Sequence, residues 1–67
     1  MKNIWGYPQE NDWIRIRLKN GDAFEGAPVV VNDADETDTG EIIITIKDKN
    51  GRYLGFCLSE IADIDEL

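Results

Sequence analysis

Between Ile14 and Gly26 the chain spells out a strand, a tight turn and a second strand, and in doing so fixes their register. Ile14, Ile16 and Leu18 alternate with Arg15, Arg17 and Lys19, and Trp13 shares the polar side. A period of two separates a face to be buried from a face left to water. Asn20-Gly21 comes next, a pair suited to a type I′ hairpin turn because both central positions there need positive φ. The second strand carries Phe24 and then Gly26, and a glycine inside a strand allows a bend or bulge that a side chain would block. A strand doubled back onto one that must bend points to a small, strongly curved β-barrel.

The rest of the chain is consistent with that architecture. Residues 22–31 form the second strand and end in Val29-Val30-Val31; Pro28 has no backbone donor, so it calls for a sheet edge or a bulge. Residues 32–40 hold nothing that can be buried and read as a long, mobile acidic hairpin loop. Residues 41–47 alternate again, with Ile42, Ile44 and Ile46 on one face, and Asn50-Gly51 signals a turn over 48–51. Residues 52–58 form a strand with Tyr53, Leu54, Phe56 and Leu58 around Gly55. Ile61 and Ile64 suit either a helical turn capped by Ser59 or a short 3-10 turn feeding a last strand. The second is preferred, because four strands leave an edge to be paired. The expected core is Ile14, Ile16, Leu18, Phe24, Ile42, Ile44, Ile46, Leu54, Phe56, Ile61 and Ile64.

Residues 1–12 show no periodicity and are expected to form an irregular arm ahead of a barrel domain over 13–67. Pro8 restricts Tyr7 to extended conformations. Packing of the arm's aromatics on the barrel is preferred to an exposed aromatic patch, although Trp5 and Tyr7 are residue types that anchor interfaces.

The pattern Ile14-x-Ile16-x-Leu18-x-Asn20-Gly21-x-x-Phe24-x-Gly26 resembles the first motif of the Sm and Sm-like family. That resemblance implies a five-stranded, strongly bent SH3-like barrel, and homo-oligomers formed by joining barrel edges. It covers about a fifth of the chain. In that family a short Asp-containing loop ending in Asn helps to hold a uridine base. Here the matching stretch is the acidic segment Asn32 to Gly40. The Ile-Arg-Gly-like second motif is replaced by Leu58, Ser59, Glu60, Ile61, Asp63 and Ile64. This ending resembles small uncharacterised Sm-like barrel proteins of bacteria. The resemblance therefore carries over the fold and leaves the RNA-binding residues behind, and fold alone does not license a function.

Charge narrows the functional classes. Fourteen acids against seven bases in 67 residues leave a net charge of −7. Such a field disfavours phosphate backbones and acidic membranes and favours basic partners. A single cysteine, Cys57, excludes an internal disulfide and fits a reducing cytosol. With no histidine, the usual zinc sites and His-dependent triads are absent. The longest apolar run is Ile42 to Ile44, too short to span a bilayer, and Lys2 is not followed by a run of signal-peptide length. A cytoplasmic protein with no membrane association is the expectation.

The candidate chemistry is sparse. Asp33, Asp35, Asp38 and Glu41 are hard-cation donors. Their spacing fails the EF-hand pattern, with Asp38 at the turn-glycine position and Ile44 where the bidentate glutamate belongs. No cofactor or metal is expected. Arg15, Arg17 and Lys19 beside Trp13 form a basic stripe of the kind that grips single strands. In a chain this acidic, cross-strand pairing with Asp22, Glu25 or acids of a neighbouring strand is the stronger reading. Cys57 has no base to activate it, and Ser59-Glu60 reads as a turn. No catalytic set emerges.

The leading expectation is a noncatalytic protein-interaction module that works by strand-edge pairing or peptide docking. Its candidate surface comprises Trp5, Tyr7, Trp13, Arg15, Arg17, Lys19, Asp33, Asp35, Glu36 and Asp38. The alternatives are an acidic nucleic-acid mimic that inhibits a nuclease or regulator, and a divergent Sm-like RNA-binding protein.

Overall fold

The computed structural model describes residues 4–10 and 12–67; residues 1–3 and Asn11 of the expected arm lie outside the described residues. The alternating segments become five antiparallel strands in one sheet: β1 (Ile14–Leu18), β2 (Ala23–Asn32), β3 (Ile43–Lys47), β4 (Tyr53–Cys57) and β5 (Ile61–Glu66). Their order is β4-β3-β2-β1-β5, and among the described residues no ladder joins β4 to β5, so the sheet is open. The chain's ending takes the preferred form, a 3-10 turn at Leu58–Glu60 feeding β5, which pairs with β1.

β2 is the strand that bends. Ala23 to Gly26 pair with β1, whereas Ala27 to Asn32 pair with β3. The change of partner falls at Gly26, and the reason is steric. A Cβ on Gly26 would stand 2.7 Å from the Lys47 carbonyl oxygen and 3.1 Å from Ile46 Cδ1. Pro28 sits where its missing donor does least harm. The β2–β3 register shifts between Pro28 and Val30, leaving Val29 in a bulge.

Both hairpin turns are of one kind, and it is not type I′. Gly21 N–H donates to the Leu18 carbonyl (3.0 Å) and Leu18 N–H to the Asp22 carbonyl (2.8 Å). Around the other turn, Gly51 N–H donates to the Asp48 carbonyl (3.0 Å) and Asp48 N–H to the Arg52 carbonyl (2.9 Å). Gly21 and Gly51 have φ of +98° and +81°, and no described residue other than glycine has positive φ. Each loop is thus a type I turn closed by a left-handed glycine. Asn20 keeps negative φ, and its Oδ1 accepts from Asp22 N–H (2.9 Å).

The core gathers Ile14, Ile16, Ile44, Ile46, Ile61 and Ile64, with Leu18, Leu54 and Phe56 packed against it. Two expected members differ. Phe24 is 36% exposed, because the open sheet brings no layer over its end of β2, and its ring instead tilts against Phe56 at 5.1 Å. Ile42 is only half-buried, since the chain has left the ladder there; β3 begins at Ile43. The arm supplies what was not expected. Ile4–Gly6 is a 3-10 turn running into a single helical turn, α1 (Tyr7–Glu10). Tyr7 is therefore helical rather than extended, with Pro8 in the first turn, where no N–H is needed. Ile4 and Tyr7 are buried in the core, Tyr7 at 1% exposure, which removes it from any candidate surface.

Gly26→Val is expected to destabilise the protein by about 1–3 kcal/mol, because the added side chain must displace the β3 backbone. Gly21→Ala, with open space around it, is expected to lose about 1–2 kcal/mol through backbone conformation alone. Urea melts of both variants check the pair; an unchanged midpoint for Gly26→Val would place the bend elsewhere.

Candidate functional site

The structure distributes the candidate residues among separate places. β1 sends Ile14 and Ile16 inward and Arg15 and Arg17 to the other face. There the arginines meet carboxylates placed opposite them by the two flanking ladders. Arg15 faces Glu25 on β2, and its Nε and Nη2 reach Glu25 Oε2 at 2.9 and 2.8 Å. Arg17 faces Asp63 on β5; its Nη2 lies 2.8 Å from Asp63 Oδ2, and its Nε 3.0 Å from Asp65 Oδ2. These pairs are exposed and each adds at most ~1 kcal/mol. Their consequence is electrostatic, because the basic stripe is neutralised where it stands. Lys19 lies in the turn rather than on the strand, exposed and with no ion pair among the described residues.

The acidic loop is more ordered in its bonding than its composition suggests. Asp33 and Glu36 form a capping box around a 3-10 turn at Ala34–Glu36. Asp33 Oδ1 accepts from Ala34 N–H (2.7 Å), and Glu36 Oε1 accepts from Asp33 N–H (3.0 Å). Thr37 Oγ1 donates to the Glu41 carbonyl (2.8 Å) and accepts from Glu41 N–H (3.1 Å). Polar side chains thus provide the anchors that apolar ones do not. Asp33, Asp35, Glu36 and Asp38 remain exposed, and among the described residues no three metal-ligating side chains gather to hold an ion.

Cys57 is half-buried beside two acids. Its thiol is pushed up to about 11, first by removal from water and then by the Glu41 and Glu60 carboxylates. Ser59 Oγ donates to Glu41 Oε1 (2.8 Å), which ties the turn after β4 to the end of the acidic loop. Both side chains thus sit beside carboxylates, which keep the thiol protonated and anchor the hydroxyl.

Trp13 leads to the feature that sequence reading missed. It is half-buried and lines an open groove of about 390 Å³ between the first residues of β2 and the β3–β4 turn. Phe24 and Leu54 provide the other apolar walls, and Glu25, Asp48, Lys49 and Arg52 form the rim. The second Lys-Asn-Gly turn was legible as a turn, but its place beside Trp13 and β2 was not. Asp48 builds that turn. Its Oδ1 accepts from both Asn50 N–H and Arg52 N–H (2.9 Å each). These backbone donors, aided by the Arg52 guanidinium, hold its carboxyl below the usual carboxylate range.

Trp5, 42% exposed, lies elsewhere, over a shallow apolar hollow shared with Pro8, Val29 and Val30. Among the described residues no helix is long and apolar enough to cross a membrane. Comparison with protein-family models, curated proteins and solved structures finds no match.

Two outcomes follow. At neutral pH, alkylation of Cys57 by iodoacetamide should run roughly 100-fold slower than for an unperturbed thiol and accelerate as pH rises past 10. Glu41→Gln should recover only part of that rate, because burial is the larger cause. Fluorescence anisotropy with labelled single-stranded DNA or uridine-rich RNA should show no binding at physiological salt, since paired arginines release few counterions. Salt-sensitive low-micromolar binding that disappears in Arg15→Glu, Arg17→Glu would reverse that conclusion.

Proposed function

We propose that this protein is a noncatalytic protein-interaction module on an Sm-like small-barrel scaffold, and that it docks a peptide segment of a protein partner in the groove walled by Trp13, Phe24 and Leu54. The scaffold reading is supported by the strand order β4-β3-β2-β1-β5 and by a β2 that serves two ladders in turn. The observation that carries the docking reading is a partly exposed aromatic wall beside a rim of free charge. Phe24 and Trp13 offer flat apolar surface that remains in contact with water in the absence of a ligand, the usual character of an interface anchor.

The rim gives the ligand's chemistry. Glu25 is held by Arg15, and Asp48 by two backbone N–H groups. Arg52 is only loosely paired with Asp48, at 3.4 Å, and Lys49 has no ion pair among the described residues. The charge left available at the groove is thus positive, although the chain as a whole carries −7. A segment with an aromatic or aliphatic side chain next to a carboxylate matches both features. It would lay the first on Phe24 and Trp13 and direct the second to Lys49 and Arg52.

A second reading, the acidic nucleic-acid mimic, is favoured by one observation. The carboxylates of Asp33, Asp35, Glu36 and Asp38 stand exposed on a loop fixed by its own hydrogen bonds. The RNA-binding reading has less support, because Arg15 and Arg17 are paired with acids of their own sheet.

Selection of displayed random peptides tests the groove, with folded Phe24→Lys protein as the counter-target. Enriched sequences should combine an acid with an apolar residue. Their affinity should fall at least about tenfold in Phe24→Lys and in Lys49→Glu, the loss of one good contact at 1.4 kcal/mol. Failure to enrich any sequence that distinguishes native protein from Phe24→Lys would overturn the assignment.

A further inference from the structure

The outer edge of β4 differs from every other exposed strand in this sheet. Its five residues, Tyr53-Leu54-Gly55-Phe56-Cys57, contain no charge and no proline, and their ladder with β3 runs without a bulge. Proteins blunt exposed edges with those devices, and this edge has none of them. The opposite outer strand, β5, carries Asp63, Asp65 and Glu66. Alternation fixes which backbone groups of β4 are free. Asp48 N–H bonds to the Arg52 carbonyl and Leu58 N–H to the Ile42 carbonyl, so 52, 54, 56 and 58 turn their polar groups toward β3. The N–H and C=O groups of Tyr53, Gly55 and Cys57 therefore point to the open side.

We propose that β4 pairs antiparallel with β4 of a second copy of this chain, about a two-fold axis at Gly55. Three matches select that register. Tyr53 falls opposite Cys57 of the other copy and Gly55 opposite its counterpart, so all the outward backbone groups meet their complements. Leu54 falls opposite Phe56 of the other copy, which carries the half-buried apolar face of the sheet across the junction. Charge also agrees. Lys47, Lys49 and Arg52 flank the Tyr53 end of the strand, whereas Glu41 and Glu60 lie at the Cys57 end. Antiparallel pairing brings the basic end of each copy against the acidic end of the other. Tyr53, 63% exposed and with Lys47 5.6 Å from its ring centroid, gains cover on that face. A junction of five residues per copy is small beside the ~1,200 Å² at which stable interfaces begin, so the dimer is concentration-dependent. The contact borders the groove, sharing Leu54 with its wall and Arg52 with its rim.

Sedimentation equilibrium of the full chain over a wide concentration series tests it. The weight-average mass should rise toward twice that of one chain and stop there. A mass that stays at one chain, or continues beyond two copies by head-to-tail pairing of β4 with a different edge, overturns the proposal. Tyr53→Glu should keep the fold, since Lys47 stands beside it, and lose the dimer, since Glu41 and Glu60 of the other copy repel it. Gly55→Cys in a Cys57→Ser background gives a second, independent reading. Facing hydrogen-bonded residues have Cα atoms about 5.5 Å apart, within disulfide reach. Mild oxidation should therefore yield a covalent dimer, whereas Thr39→Cys in the same background should not. Absence of that cross-link overturns the register.

Discussion

Where Gly26 lies against the Lys47 carbonyl, two backbones approach more closely than any side chain would permit, and the rest of the sheet is arranged around that contact. β2 leaves β1 there and takes up β3. Without the approach, a single strand could not serve both ladders, and Ile14 and Ile16 on one side would not meet Ile44 and Ile46 on the other. In a chain of 67 residues the core yields only ~3–5 kcal/mol, so each of those isoleucines matters. Tyr7 and Ile4 are recruited from the arm for the same reason. A sheet this small has one apolar face to cover and little of its own chain with which to cover it.

Most of the scaffold was legible, because its signals are local. The period of two at Ile14–Leu18 and Ile43–Lys47, the two Lys-Asn-Gly turns, the glycine in β2 and the proline at a bulge each act through their immediate neighbours. Two other features were hidden, for different physical reasons. Tyr7 before Pro8 has an extended preference, which a buried site overrode by drawing the residue into a helical turn. Phe24 has the polarity of a core residue, and only the openness of the sheet leaves it partly wet. Burial at that position is decided by what lies across from the strand, which local pattern does not contain.

The surface follows the same division. Pairing of Arg15 and Arg17 with acids could be anticipated from strand parity and the excess of carboxylates, because both are properties of the sequence itself. The groove could not, since it arises where the β3–β4 turn lies beside Trp13 and the start of β2, residues far apart in the sequence. Nor could the organisation of the acidic loop. Asp33, Glu36 and Thr37 were read as charge and polarity, yet they serve as caps and turn ties, roles that depend on spacing more than on composition.

The two Asn-Gly turns carry a chemical liability of unequal weight. An asparagine followed by glycine is prone to deamidation, because the glycine nitrogen meets no side-chain obstruction as it closes onto the asparagine carbonyl. Asn20 is restrained, since its Oδ1 already accepts from Asp22 N–H, whereas the Asn50 side chain makes no hydrogen bond among the described residues. Ageing therefore strikes Asn50 first. The carboxylate it creates appears next to Lys49, in the one stretch of the groove rim where positive charge is free. Time alone would then erase the local charge preference that sets this groove apart from the rest of an acidic surface.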